Sequence, residues 1–319
     1  MIFREAQAYD IPSIVELLRL SLGESLMPKT EAYWRWKHVD NHFGSSKVLL
    51  AVDNEELVGV RAFMHWNWEQ DGKVFRSVRA VDTATHPRYQ GKGIFTKLTL
   101  SLLETCHQDG IDFVFNTPNS KSLPGYIKMG WQEVGRMPVK VSLKRPFSVI
   151  VNKLRGAQST GFMEINDVSF LLSDALTKYK GEFVNGHENS NISTTYSGKF
   201  IRWRYMQIPI IKYYGHADSD ALIVFRLKNS SLGLELRITD CFGNKTSVRQ
   251  LIKQVYKSIT FDYISLSGLS TYQLTGFMQK SFTNGPNTTF RKLNINLEEV
   301  QNIISFNNWH PTLGDLEVF

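Results

Sequence analysis

Val81-Asp82-Thr83-Ala84-Thr85-His86-Pro87-Arg88-Tyr89-Gln90-Gly91-Lys92-Gly93-Ile94-Phe95 is the stretch on which the reading of this chain turns. Just upstream, Val74-Phe75-Arg76-Ser77-Val78-Arg79-Ala80-Val81 alternates and reads as a strand. Downstream, Phe95, Leu98, Leu102 and Leu103 recur at helical spacing through Cys106. A strand therefore runs into a turn with glycines at 91 and 93, and the turn opens a helix. Glycine lets the backbone approach a ligand with no Cβ in the way. A first helical turn presents unpaired N–H groups at the positive end of the helix dipole. With Arg88 and Lys92 beside them, these groups suit a pyrophosphate. The alternative is an ordinary strand-to-helix turn. Neither the dinucleotide pattern Gly-x-Gly-x-x-Gly nor the Walker pattern Gly-x-x-x-x-Gly-Lys-Ser/Thr fits Arg88-x-x-Gly91-x-Gly93.

Outward from the loop, the N-terminal segment reads as strand, helix, helix and three antiparallel strands. Ile2 to Ala6 is a short strand. Asp10 caps a helix with Pro12 in its first turn and Ile14, Leu17, Leu18 and Leu22 on its buried side. Thr30 caps the next helix, which carries Tyr33-Trp34-Arg35-Trp36-Lys37. Val48–Val52 is a strand, turned by Asp53-Asn54-Glu55-Glu56 into Leu57–Trp68, and Gln70-Asp71-Gly72-Lys73 makes the next turn. Past the loop, Phe113-Val114-Phe115-Asn116 is a short buried strand, followed by Asn119 and Tyr126-Ile127-Lys128-Met129-Gly130-Trp131. The loop resembles motif A of the GCN5-related N-acetyltransferases, Arg/Gln-x-x-Gly-x-Gly/Ala. The later segment is similar to that family's Asn-…-Tyr-x-x-x-Gly-Phe/Trp run, and the two stand in the family's order.

The chain has 319 residues, enough for two domains of ordinary size. With 42% hydrophobic and 21% charged residues it reads as a globular protein. The longest apolar runs fall far short of a membrane span, and Met1-Ile2-Phe3-Arg4-Glu5 does not read as a signal peptide, so a cytoplasmic location is expected. Two cysteines, Cys106 and Cys241, make neither a disulfide framework nor a metal cluster. Cys106, Trp66, Trp68 and Trp131 read as core or rim residues. The net charge of +7 suits a phosphate-rich co-substrate or an anionic acceptor. No nucleic-acid motif stands out.

The second half repeats the first. Phe200-Ile201-Arg202-Trp203-Arg204 answers 33–37, Ile238-Thr239-Asp240 answers 80–82, the amphipathic 248–255 answers the helix after the loop, Tyr263-Ile264-Ser265-Leu266 answers 113–116, and 276–282 answers 125–131. The expected architecture is α/β, a mixed sheet with flanking helices, in two acetyltransferase-like copies at 1–147 and 155–319. The second copy has Asp240-Cys241-Phe242-Gly243-Asn244-Lys245-Thr246 where the glycine loop would be, and Phe277 where Tyr126 carries a hydroxyl. It is therefore expected to bind no co-substrate.

The resemblance implies transfer of an acetyl group from acetyl-CoA to an amine. It implies that the backbone of Thr83, Ala84 and Thr85 holds the pantetheine arm and polarises the thioester carbonyl. It further implies that Arg88, Tyr89, Gln90, Gly91, Lys92, Gly93, Ile94 and Phe95 hold the pyrophosphate, that Asn119 lies beside the co-substrate, and that Tyr126 protonates the leaving thiolate. A phenol is protonated at neutral pH and suits that role. The base is open between Asp82, a water chain and a third group. In the mycobacterial enhanced-intracellular-survival acetyltransferases, which this chain resembles in its tandem form, a C-terminal carboxylate enters the first active site; here that residue is Phe319. His86 reads as a turn residue. The expected acceptor is the primary amine of a small molecule, an amino sugar in particular, with polyamines, aminoglycosides and protein amines as alternatives. No metal is expected, and a homo-oligomer is compatible with these readings. The rival class is a non-catalytic acetyl-CoA-binding or scaffold protein.

Overall fold

The computed structural model describes residues 1–23, 27–156, 161–165, 167–183, 191–283 and 285–316. The first half runs β1 (Ile2–Glu5), α1 (Ile11–Leu22), α2 (Glu31–Trp34), β2 (Lys47–Asp53), β3 (Glu56–Gln70), β4 (Lys73–Thr85), α3 (Ile94–Gln108), β5 (Phe113–Asn116), α4 (Leu123–Lys128), β6 (Gln132–Arg136) and β7 (Val139–Leu143). After α5 (Pro146–Arg155) come β8 (Gly161–Met163), α6 (Leu172–Lys178), β9 (Ser193–Thr194), α7 (Gly198–Ile201), β10 (Tyr214–Ala217), β11 (Ala221–Ser230) and β12 (Gly233–Gly243). The chain ends with α8 (Lys245–Ser258), β13 (Tyr263–Ser267), β14 (Phe277–Phe282), β15 (Asn287–Lys292), α9 (Leu297–Ile303) and α10 (Leu313–Leu316).

Local chemistry accounts for the early elements. Asn54 and Glu55 (φ 48° and 66°) close the β2–β3 hairpin, and Asp71 and Gly72 (φ 50° and 77°) close β3–β4. Two successive left-handed residues match the twist of the flanking strands. Thr30 caps α2 by accepting from the Tyr33 N–H at 3.1 Å. Asp10 does not cap α1 as its position suggests; its carboxylate accepts from the Arg4 guanidinium (2.7 and 2.6 Å) and the Gln7 N–H (2.7 Å). Cys106, Trp66, Trp68 and Trp131 are buried, and burial pushes the Cys106 thiol up to about 12.

Two sheets result, ordered β1-β2-β3-β4-β5-β15-β6 and β10-β11-β12-β13-β7-β14 among the described residues, with β9 added beside β3 and β8 beside β11. Only β4–β5 and β12–β13 pair in parallel. β6 and β7 are separated at Met137-Pro138. Proline cannot donate to a ladder, and there the chain leaves the first sheet at β6 and joins the second as β7. The chain makes the return journey at Gly285-Pro286, between β14 in the second sheet and β15 in the first. The two crossings bind each other: the Met137 N–H donates to the Pro286 carbonyl and the Gly285 N–H to the Met137 carbonyl, both at 3.0 Å. Each sheet therefore holds a strand from the other half, and a unit ending at 147 lacks β15.

The repeat is real at its centre. Both α2 and α7 widen into a π-helical turn, at Arg35–Val39 and Arg202–Met206. Trp36 and Trp203 stack at 5.1 Å, and each indole N–H donates to the other's carbonyl, at 2.7 and 3.0 Å. At the far end the expected correspondence fails. Residues 276–282 form strand β14, whereas Tyr126 sits on helix α4. The Phe277-to-Tyr126 match in sequence hides a period of two, and Gly276 (φ 129°) precedes the strand at a point where a Cβ would strike Ser142.

The end of the chain closes the second copy. Ser267 Oγ donates to the Pro311 carbonyl at 2.8 Å, and Arg204 donates to the Gly314 carbonyl at 3.2 and 2.8 Å. Between β12 and β13, where Thr239, Asp240, Leu266 and Ser267 meet Pro311 and Thr312, only 10 Å³ of space remains. Beside it, the buried carboxylates of Asp240 and Asp315 share the Tyr196 hydroxyl, at 3.1 and 3.2 Å. Asp315 also accepts from Thr194 Oγ1 and from the Thr312 N–H, and Asp240 accepts from Tyr205. Burial, and then the charge of Asp240, push Asp315 up to about 7.

Two outcomes are expected. Residues 1–156 expressed alone, lacking β15 between β5 and β6, should show no cooperative melt, and co-expression with 157–319 should restore one; a cooperative melt of the first fragment alone would contradict the exchange. A carboxyl whose pKa is raised on folding binds its proton more tightly in the folded state. Its contribution is therefore present at low pH and is lost as pH rises through the folded value. Tm should fall between about pH 4 and about pH 7, and Asp315→Asn should flatten that fall, as thermal melts across pH would show.

Candidate active site

β4 and β5 pair only from Ser77 to Arg79, against Phe113 to Phe115. From Ala80 to Thr85 the β5-facing edge of β4 has no strand partner. A cleft of 740 Å³ opens there, lined by Ala80–Thr85, Tyr89–Gly91, Gly93–Phe95, Asn116–Asn119 and Tyr126. Every residue lining it lies between Ser21 and Tyr126. Neither 134–143 nor the second half walls it, and β7 lies in the other sheet.

The glycine loop ends this cleft. Gly91 and Gly93 have φ of 77° and 75°, and a Cβ at either would meet nothing within 4 Å. Glycine is needed here for the left-handed backbone, and the space beyond it is open. Gly93 is the N-cap of the 15-residue α3, whose first turn faces the cleft through Ile94 and Phe95. Arg88 and Lys92 do not line the cleft as expected. Arg88 pairs with Glu56 at 2.7 Å and Lys92 lies over the Tyr89 ring at 4.4 Å. His86 is a turn residue, its Nδ1 accepting from the Arg88 N–H.

Asp82 stands in a bulge. Arg61 pairs with Thr83 and Ala62 with Val81, which leaves Asp82 without a partner on β3. Its φ of 35° is unusual for a residue with a Cβ and costs of order 1–3 kcal/mol. An ion pair holds it there: Lys37 Nζ lies 2.6 Å and His38 Nε2 2.7 Å from the same carboxylate oxygen. Both partners come from the π-helical turn. His38 Nδ1 is engaged by Ser46 Oγ at 2.9 Å, so both ring nitrogens are occupied. Burial would raise the Asp82 carboxyl, but the Lys37 charge and the His38 hydrogen bond bring it well below the usual range. Burial pulls both Lys37 and His38 down, with Asp82 opposing. A carboxylate held so low accepts a proton poorly. The geometry therefore turns Asp82 from the expected base into an anchor for the bulge.

Tyr126 lines the cleft. Asn119 Oδ1 accepts from the N–H groups of Lys121 and Ser122 at 3.0 and 2.9 Å and shapes the turn into α4. α4 then places Tyr126 on the cleft wall, edge-on to Phe95 (5.6 Å) and Trp131 (5.1 Å). Its hydroxyl has no hydrogen-bond partner among the described residues. Phe319 lies outside the described residues.

Sequence reasoning missed Arg61. It lies in the cleft floor, fully buried, with its guanidinium 5.0 to 5.5 Å from the ring centres of Phe63, Tyr126 and Phe95 and, among the described residues, no hydrogen-bond partner for any of its nitrogens. Three aromatic faces supply its electrostatic contact. The signal was there: one cation inside the apolar run Leu57-Val58-Gly59-Val60-Arg61-Ala62-Phe63. Lys37 and His38 were also missed as partners of Asp82.

No group of three or more potential metal ligands occurs among the described residues, and none of their helices is long and apolar enough to cross a membrane. No curated protein matches the sequence. Three solved structures are similar in fold over 92% of this chain. A probable N-acyltransferase from Enterococcus faecalis has a TM-score of 0.63 at 8% identity, with 73% of that chain covered. A GCN5-related N-acetyltransferase from Anabaena variabilis has 0.60 at 14%, with 73% covered. Eis1 from Mycobacterium abscessus has 0.58 at 14%, with 74% covered. The family model described as an acetyltransferase (GNAT) domain matches residues 3–134. Those residues hold the loop, the bulge, the parted strands and Tyr126, and over them the chain is similar to the acetyltransferase (GNAT) domain.

Proposed function

We propose that the chain transfers an acetyl group from acetyl-CoA to a primary amine of a small molecule, with Tyr126 as the acid. The observation that carries this reading is Tyr126 itself, its hydroxyl unpartnered on the wall of a cleft that runs from the parted strands to the glycine loop. A scaffold protein would need the loop and not the phenol. The residues present fit the co-substrate. The left-handed glycines leave open space before the N-terminus of α3, and six residues of β4 offer backbone groups that no strand takes up.

When bound, acetyl-CoA supplies an activated acetyl thioester. The loop from Tyr89 to Phe95 holds its phosphates through backbone N–H groups and the helix end. The backbone of Thr83–Thr85 holds the arm and directs N–H groups at the carbonyl oxygen, where negative charge develops during attack. The bulge at Asp82 sets the direction of that backbone, and the Lys37–Asp82–His38 group keeps the bulge in place. Tyr126 gives its proton to the departing sulfur and recovers one from solvent. With Asp82 committed to Lys37, a water chain is the route by which the amine loses its proton.

The cleft wall carries Lys29, Arg61 and Lys121 against one acid, Asp82. This balance disfavours a polycation and suits an acceptor that bears its own negative group. A nucleotide-linked amino sugar is the acceptor class we propose. The second half binds no acetyl-CoA, because α10 and the residues before it fill the place of a second cleft.

CoA release on mixing with acetyl-CoA and a panel of amino sugars, polyamines and peptide amines tests the activity. Release with no amine on the panel above the hydrolysis background would leave the scaffold reading in its place. Tyr126→Phe should lower kcat by about 10²-fold with acetyl-CoA affinity little changed. A variant with the wild-type kcat would show that the phenol is not the acid. Calorimetry should find one acetyl-CoA site per chain. Gly91→Glu, which adds a negative charge at a left-handed position, should weaken that site by about tenfold or more; unchanged affinity would remove the loop from the site.

A further inference from the structure

Helix α5 is set on the protein the wrong way round. Phe147, Ile150, Val151 and Leu154 recur at i, i+3, i+4 and i+7 and form one stripe. In a helix laid on a globular surface that stripe faces inward. Here it faces out, with Phe147 and Leu154 each 82% exposed, Ile150 54% and Val151 41%. The opposite side faces the protein: Ser148, Val149 and Asn152 are half-buried, and a Cβ on Gly233 of β12 would collide with the Asn152 side chain and Asp262.

The mounting is firm. The Lys144 and Arg145 N–H groups donate to the Asp262 carbonyl at 2.8 and 2.9 Å. Lys144 Nζ donates to the Ile259 carbonyl at 2.7 Å and lies over the Tyr256 and Phe261 rings at 4.8 and 4.5 Å. The outward face is therefore held outward by its attachments. Leu232, next to Gly233, is 37% exposed at the same place.

Charge identifies the occupant. From Lys144 to Gly156 there are four cations and no acid. Lys144 is used in the mounting. Arg145, Lys153 and Arg155 are exposed and make no ion pair among the described residues. A second copy of the chain would bring three like charges against these three. An apolar stripe flanked by free cations is instead the chemistry of a helix lying in the headgroup region of an anionic lipid surface, where side chains such as Phe and Leu enter the acyl boundary and Lys and Arg meet phosphates.

We propose that α5 docks the protein on anionic membranes. The helix joins the two halves and packs on β12, so the cleft, lined from Ser21 to Tyr126, stays open to co-substrate. Residues that contact lipid in this way are absent from the folding core, and their replacement should not unfold the chain.

The test is co-sedimentation of the full chain with vesicles of equal parts phosphatidylcholine and phosphatidylglycerol, and with phosphatidylcholine alone. The protein should pellet with the first and not the second, and added salt should release it. Phe147→Ser with Leu154→Ser, and separately Arg145→Glu with Lys153→Glu and Arg155→Glu, should each weaken binding by about tenfold or more while Tm stays at the wild-type value. No pelleting of the wild type with anionic vesicles overturns the proposal. So does equal pelleting of wild type and the serine variant. If the serine variant instead shifts a dimer to a monomer in sedimentation equilibrium and the wild type ignores vesicles, the face is a protein interface and the lipid assignment is wrong.

Discussion

Two indoles hold the halves of this protein together. Trp36 and Trp203 stack face to face, and each gives its N–H to the other's backbone carbonyl. Burying a tryptophan removes about 150–250 Å² from water, at about 25 cal/mol per Å². The pair lies between the two sheets, in a core that also takes in Trp66, Phe200 and, further along, Trp68 and Trp309. The π-helical turns that carry the two indoles also carry the partners of the buried acids. His38 reaches Asp82 from one turn and Tyr205 reaches Asp240 from the other. The position of the bulge, and with it the direction of the β4 backbone in the cleft, thus depends on how the halves meet.

Much of the first half is legible in the sequence because its signals are local. Left-handed turns call for Asn, Asp and Gly, and those residues stand at 54, 71 and 72. The glycines at 91 and 93 mark the loop for the same reason, and a helical period follows at once. Nothing in the residues of Val139–Leu143 or Asn287–Lys292 says which sheet a strand joins, so the exchange is invisible in the sequence. Phe277 misleads because glycine-aromatic spacing matches in both halves while the period does not. The ion pair of Asp82 escapes because its partners lie on a helical turn 44 residues earlier, a distance that only the assembled sheet closes.

The two halves show opposite fates of one arrangement. In each, two parallel strands pair for three residues and then part. In the first half the gap remains a cleft bounded by a glycine loop and a helix end. In the second, Pro311, Thr312 and α10 occupy it, and the acid that would face the gap is absorbed into a proton-sharing pair. Tyr196 donates between the two carboxylates, and burial together with the charge of Asp240 pushes Asp315 up to about 7. This pair is the interior of a filled site. Arg79 of β4 donates to the Asp315 carbonyl at 2.7 Å and to Thr117 Oγ1, so the filling also braces the rim of the open cleft.

The strand exchange gives this chain a history that cannot be run backwards. A tandem duplication is ordinarily modular: if one copy stops working, deletion removes it and the other survives. Once β7 and β15 had changed sheets, neither copy contained all of its own hydrogen-bonding partners. Loss of the second half would then leave β5 and β6 with an empty place between them, and loss of the first would leave the same gap between β13 and β14, so neither half can be removed without unmaking the other's sheet.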